Sequence, residues 1–103
     1  MNHGTVYEFL WDYAKAQSNA RKHDVTFDQA VTVFLDALAL TTYDEPNSQD
    51  EERWFTLGFD ASGKLLAVAH TYETIGPADA RIRIISARTA TKRERYAYEN
   101  EPR

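Results

Sequence analysis

The chain has 103 residues, 43% of them hydrophobic and 27% charged, with no cysteine and a formal charge of −4. That length accommodates one hydrophobic core, so a single domain spanning 1–103 is expected. Disulfides and thiolate metal sites are excluded, and no apolar run reaches the length of a membrane span. The N-terminal MNHGTVYEFLWDYAK lacks a basic-then-apolar signal pattern, so a cytosolic location is the expectation.

Residues 7–11 (YEFLW) form an aromatic run that reads as a strand or as a hydrophobic lead-in. Asp12 is placed to N-cap a first helix through about Lys22, with Tyr13, Ala16 and Ala20 as a thin apolar stripe. Asp24 stands where a helix end favours Gly, in a left-handed conformation that Asp tolerates less well. Thr26 and Gln29 then spell a capping box, flanked by Val25 and Ala30 as a hydrophobic staple. The spacing of Phe27, Ala30, Val31, Phe34, Leu35 and Leu38 predicts a second helix whose wide apolar face reaches Leu38.

Beyond Ala39 the period falls to two. LTTY (40–43), RWFTLGF (53–59), KLLAVAHTY (64–72) and RIRIIS (81–86) read as strands. Between them lie an acidic loop (44–52), a DASG turn and a second turn at IGPAD (75–79). Thr91 and Glu94 spell another capping box, opening a helix over about 92–100. The order predicts an α+β domain: two N-terminal helices, a mostly antiparallel four-stranded sheet and a C-terminal helix, the helices gathered on one face.

Charge is unevenly spread. Residues 81–95 carry Arg81, Arg83, Arg88, Lys92, Arg93 and Arg95 against Glu94 alone, a local +5 that leaves −9 on the other 88 residues. Alternation sends Ile82 and Ile84 to the core and Arg81 and Arg83 to the open face. Lys92 and Arg93 fall in the first turn of the last helix, where the helix dipole disfavours cations unless an anion sits among them. The segment therefore reads as an anion site, with a solvated strand face as the alternative. His70, mid-strand, is either a hydrogen-bonded structural residue or a proton carrier. His23, at a helix C-terminus, suits the dipole there. Glu52 and Arg53 are an edge ion pair or catalytic groups. No metal-ligand spacing, Gly-rich phosphate loop or nucleophile motif occurs.

The ordered segments WDYAKAQSNARKHDVTFDQA, DEERWFTLG and RIRIISARTATKRERYAYE resemble the BrnT family of ribonuclease toxins from type II toxin–antitoxin modules. Asn19, Lys22, His23, Val25, Phe27 and Ala30 match its N-x-x-K-H-G-V-x-F-x-x-A segment, with Asp24 in place of Gly. Glu52, Arg53, Trp54 and Gly58 match its E-R strand, and Arg83, Ile84, Ile85, Ser86, Ala87 and Arg88 match R-I-I-S-A-R. The segment ETIGPADA before Arg81 is longer than the family pattern.

The resemblance implies a RelE-like fold, RNA cleavage that arrests translation in a bacterial cytoplasm, and neutralisation by a BrnA-like ribbon-helix-helix antitoxin in a heterotetramer. DNA would be reached only through that antitoxin. Cleavage without metal or cofactor needs a base for the 2′-OH, a cation for the phosphorane and an acid for the leaving 5′-oxygen. Arg83 suits the phosphorane, assisted by Arg88 and Arg53. His70 or Glu52 is the candidate base and His70 or Lys92 the acid. Arg81, Lys92 and Arg93 would hold flanking phosphates, and Tyr96 would stack on a base. The competing expectation is a non-catalytic module whose basic patch binds an acidic protein segment or nucleic acid.

Overall fold

The computed structural model describes residues 5–102. Its elements are β1 (Val6–Leu10), α1 (Tyr13–His23), α2 (Phe27–Thr32), β2 (Leu40–Tyr43), β3 (Trp54–Phe59), β4 (Leu65–His70), β5 (Glu73–Gly76), β6 (Asp79–Thr89) and α3 (Lys92–Asn100), with 3₁₀ turns at Val33–Leu35 and Glu45–Asn47. The sheet runs β1-β6-β4-β3-β2, with β5 also paired to β6. The α+β class holds, but the sheet has six strands rather than four and is mixed, because β1 lies parallel to β6. Residues 73–76 form β5, although the turn expected at 75–79 would include the last two of them. Long β6 supplies the reason: its first half bonds to β1, the strand alternative for YEFLW, on one edge and to β5 on the other, pairings that no local pattern announces.

The expected caps are present. Asp12 accepts the Lys15 N–H, and Asp24 closes α1 in the left-handed region at φ 53°. Both capping boxes form, Thr26 with Gln29 and Thr91 with Glu94. The second helix is shorter than its apolar stripe predicts. It ends at Thr32, whose hydroxyl donates back to the Gln29 carbonyl (2.7 Å) and accepts the Ala61 N–H (2.9 Å). The chain tightens to 3₁₀ and turns away, leaving Leu35 83% and Leu38 50% exposed, outside the core where the stripe placed them. Gly58 permits this close crossing, since a Cβ there would lie 2.7 Å from Val33 Cγ1.

Val25, Phe27, Ala30, Val33 and Phe34 pack on Leu66, Val68, Ile82, Ile84 and Ala87 to form the core on one face of the sheet. Burying an Ile or Leu side chain of this kind stabilises by about 1.5–3 kcal/mol. α3 departs from the expected one-sided arrangement. Gly58 faces the Val33–Leu35 turn, so Phe59 faces the other way. Tyr98 of α3 meets Phe59 edge-on at 5.3 Å, covering the far end of that second face.

β6 contains the irregularity that organises the second face. His70 pairs with Ile84 and Ala69 with Ser86, so Ile85 is a bulged extra residue. Strict alternation would send Arg83 and Arg88, five positions apart, to opposite faces. The bulge restores Arg88 to the face of Arg81 and Arg83 while Ala87 turns inward.

Candidate active site

The open face is built on small side chains. Ala69 pairs with Ser86 and Phe55, and Ala67 with Arg88 and Leu57, so a floor of two alanines lies between β6 and β3. Arg88 reaches across it, its guanidinium carbon 6.0 Å from the Phe55 ring centroid. The same guanidinium grips Glu94 bidentately at 2.7 and 3.0 Å. Glu94 is also held by the Thr91 cap, and the Arg88 bond is the main cause that draws its carboxyl down to about 2.

Arg83 is placed differently. Its N–H donates to the Thr71 hydroxyl and its carbonyl accepts the Thr71 N–H, which fixes the backbone. Its side chain, 31% exposed, ion-pairs with Oε1 of Glu51 from the acidic loop. Arg53, from just before β3, approaches the same oxygen at 3.6 Å. The Arg83 hydrogen bond, foremost among the causes, holds the Glu51 carboxyl below its ordinary value. Arg53 is anchored through its backbone: its N–H donates to Ser48 Oγ, and its carbonyl accepts the Asp44 N–H. Its Nε is buried without a hydrogen-bond partner, so the fork is only partly used.

Arg83 and Glu51 border a cleft of about 380 Å³ lined also by Leu10, Glu52, Thr71, Tyr72, Glu73 and Arg81, whereas Arg53 lines the adjoining pocket on the other side of Glu51. Arg81 sits between Glu8 at 3.1 Å and Glu73 at 3.6 Å. The strand arginines of the +5 segment are therefore countered by glutamates from other elements. Lys92, Arg93 and Tyr96 are exposed on α3, outside the cleft lining.

His70 lies on the opposite face. It is 1% exposed and meets Phe34 edge-on at 4.9 Å. Nδ1 lies 2.8 Å from the Thr71 carbonyl, so that nitrogen carries the proton, and Nε2 accepts from the Thr56 hydroxyl at 2.7 Å. Burial lowers its pKa, keeping the ring neutral. Nothing brings this imidazole to Arg83.

Two residues to which sequence reasoning assigned no site role, Glu51 and the motif residue Asn19, are central to the geometry. Glu51 rather than Glu52 meets the arginines; both sit in an irregular loop, where no period says which will point inward. Asn19 is 7% exposed, and its amide donates to Ala87 O and accepts from Ala87 N–H. It thus pairs with the free edge of β6 as a neighbouring strand would, and ties α1 beside the bulge.

A family model described as "Ribonuclease toxin, BrnT, of type II toxin-antitoxin system" matches residues 11–94. The chain belongs to the BrnT family. The matched span contains both arginine–glutamate pairs, Asn19 and the bulge of β6. The 1.1 Å crystal structure of the Brucella abortus ribonuclease toxin BrnT is similar, with a TM-score of 0.57 and 25% identity over 85% of this chain and all of that one. No curated protein matches the sequence. Among the described residues, no three His, Cys, Asp or Glu side chains are grouped to hold a metal ion, and no helix is long and apolar enough to cross a membrane.

Proposed function

We propose that this BrnT-family protein is a metal-independent endoribonuclease that arrests translation in the bacterial cytoplasm and is neutralised by a BrnA-like ribbon-helix-helix antitoxin in a heterotetramer. The observation that carries the reading is the convergence of Arg83 and Arg53 on a single carboxylate oxygen of Glu51. Two guanidinium groups aimed at one oxyanion are suited to a phosphate, with Glu51 occupying its place in the absence of RNA.

In this mechanism the scissile phosphate displaces Glu51 and takes the Arg83 and Arg53 forks. Glu52, exposed at the mouth of the same cleft, accepts the 2′-OH proton. The 2′-oxygen attacks phosphorus, charge accumulates on the phosphorane oxygens facing Arg83, and the bond to the 5′-oxygen breaks. The products are a 2′,3′-cyclic phosphate and a 5′-hydroxyl, whose proton comes from solvent. Arg88, closed by Glu94, positions the alanine floor and Phe55 rather than touching the reacting phosphate. Arg81 borders the mouth, and Lys92, Arg93 and Tyr96 contact flanking nucleotides. His70 stays within the core.

One feature favours a second reading. A site already filled by a carboxylate also fits an acidic segment of a protein partner, so the same patch would serve a non-catalytic docking module. Incubating purified protein with single-stranded RNA in EDTA separates the two. Cyclic-phosphate ends from the native protein, and not from Arg83→Ala, are expected; intact RNA in both would leave docking as the function.

A further inference from the structure

Positive charge without an acidic partner also lies away from the paired arginines, on α1. α1 carries Lys15, Arg21 and Lys22 and no acidic residue within 13–23, in a chain with 16 Asp and Glu. A cleft of about 180 Å³ lies between α1 and the bulge of β6, and Lys15, Ser18, Lys22, His23 and Ser86 border it. No acid lines this cleft, whereas Glu51, Glu52 and Glu73 line the one at Arg83. Among the described residues neither Lys15 nor Lys22 makes an ion pair.

Helix-dipole compensation accounts for part of this charge. Arg21, Lys22 and His23 lie in the last turn, where cations are favoured. It does not account for Lys15, which lies in the first turn, where a cation is disfavoured. Lys15, Ser18 and Lys22 follow i, i+3, i+7, so one stripe of the helix presents two ammonium groups with a hydroxyl between them. The Asn19–Ala87 clamp holds that stripe against the strand.

The cleft also lies along β6 from the arginine pair. Ser86 faces the alanine floor opposite Ala69, on the side that bears Arg83 and Arg88. It is three positions along the strand from Arg83, with only Ile84 and the bulged Ile85 between them, roughly 7–10 Å at the rise of a strand. That is within reach of a neighbouring phosphate on an extended single strand.

We infer that the α1 cleft is a second phosphate subsite, in which Lys15 and Lys22 bind the sugar–phosphate backbone of the RNA flanking the bond held at Arg83. The inference rests on the ribonuclease reading. It assigns binding to the unpaired lysines of α1 and chemistry to the paired arginines of the sheet. The lysines act as diffusible-strand anchors with no sequence preference, since phosphate contacts carry no base information. The hydroxyl of Ser18 is placed to donate to the same phosphate.

The test uses the whole protein and a single-stranded RNA of about a dozen nucleotides, with a deoxy sugar at the cleavage position for binding and the all-ribo strand for kinetics. The double variant Lys15→Gln/Lys22→Gln changes exposed side chains, and Lys15→Arg/Lys22→Arg is its charge-keeping control. The slope of log affinity against log salt should fall in magnitude by about 0.7 for each lysine lost from a phosphate contact. KM should rise several-fold with kcat unchanged at saturation, the arginine control should match native protein, and a dinucleotide substrate too short to reach α1 should show no difference. Native cleavage with an unchanged slope in the glutamine variant overturns the subsite and leaves the ribonuclease reading intact. A changed slope without cleavage by native protein overturns the ribonuclease and keeps the anchor; no salt-sensitive binding by native protein overturns both.

Discussion

Arg83 and Arg88 leave the same face of the same strand, and each meets one glutamate, yet the two pairs are built differently. Glu94 is fixed twice, by the bidentate Arg88 fork and by the Thr91 cap that starts α3. Its carboxyl, with a pKa drawn down to about 2, is engaged through both oxygens. Glu51 comes from an irregular loop, meets Arg83 through one guanidinium nitrogen and shares Arg53 at the looser 3.6 Å. A partner locked by the helix it caps belongs to the scaffold. A partner supplied by a loop can give way to a substrate. On the proposed reading, that contrast gives Arg88 to architecture and Arg83 to chemistry.

The largest effect belongs to Arg83. Removing a group that stabilises charge only in the transition state costs roughly 10²- to 10³-fold in rate. Arg83 is opposite the fully buried Ile82 and Ile84, and its shortening removes little packing, so stability should change by no more than about 0.5 kcal/mol. Arg83→Lys should recover only part of the activity, because a point charge lacks the planar fork. Single-turnover cleavage and thermal unfolding, measured together, decide this; early unfolding would move Arg83 into the scaffold.

His70 supplies the opposite signature. His70→Ala leaves a cavity beside Phe34 and takes from the Thr56 hydroxyl one of its two partners, the other being Thr41, and about 2–4 kcal/mol of stability should be lost. The gentler His70→Gln should hold kcat within a few-fold wherever it remains folded. A hundredfold drop at full folding would show that the imidazole reaches the substrate after all.

Arg88→Ala should cost about 1 kcal/mol, since the pair is partly solvated. Glu94 is depressed from 4.5 to about 2, so its contribution is complete above roughly pH 5 and fades as pH falls towards 2. The stability gap between native protein and Arg88→Ala should therefore be flat near neutrality and close in acid. A gap that persists at pH 2 would assign the loss to packing against Phe55 instead.

What the sequence disclosed and concealed divides by range. Both capping boxes, Asp24 in its left-handed position and the Ile82/Ile84 alternation were legible, because each depends on neighbours within a few positions. The bulge at Ile85 was not: it exists only in the register between β4 and β6. The Asn19–Ala87 clamp spans 68 positions and the Arg83–Glu51 pair 32. The same limit inflated the reading of the +5 segment, since Glu8, Glu51 and Glu73 arrive from distant elements to counter it. Leu35 and Leu38 were misplaced because a helical stripe cannot tell that the helix will stop at Thr32.

The smallest expected effect is the most direct test of the loose pair. If Glu51 only stands in for phosphate, replacing it frees Arg83 and Arg53 without removing a reacting group. An exposed ion pair of this kind is worth about 0.2–1 kcal/mol, so Glu51→Gln should bind RNA a few-fold more tightly at neutral pH. Its maximal rate should be nearly unchanged. The pH dependence has a fixed sign. Glu51 has a lowered pKa in the folded protein, so its grip on the arginines is complete above the ordinary carboxylate range and is released only as pH falls below it. The affinity advantage of Glu51→Gln should accordingly be constant around neutrality and disappear in acid, where native Glu51 is itself neutral. Fluorescence titration with the uncleavable deoxy-substituted RNA across that range would measure it. Should Glu51→Gln instead lose cleavage a hundredfold with affinity unaltered, Glu51 would be the base that takes the 2′-OH proton, and Glu52 would be left as a rim charge.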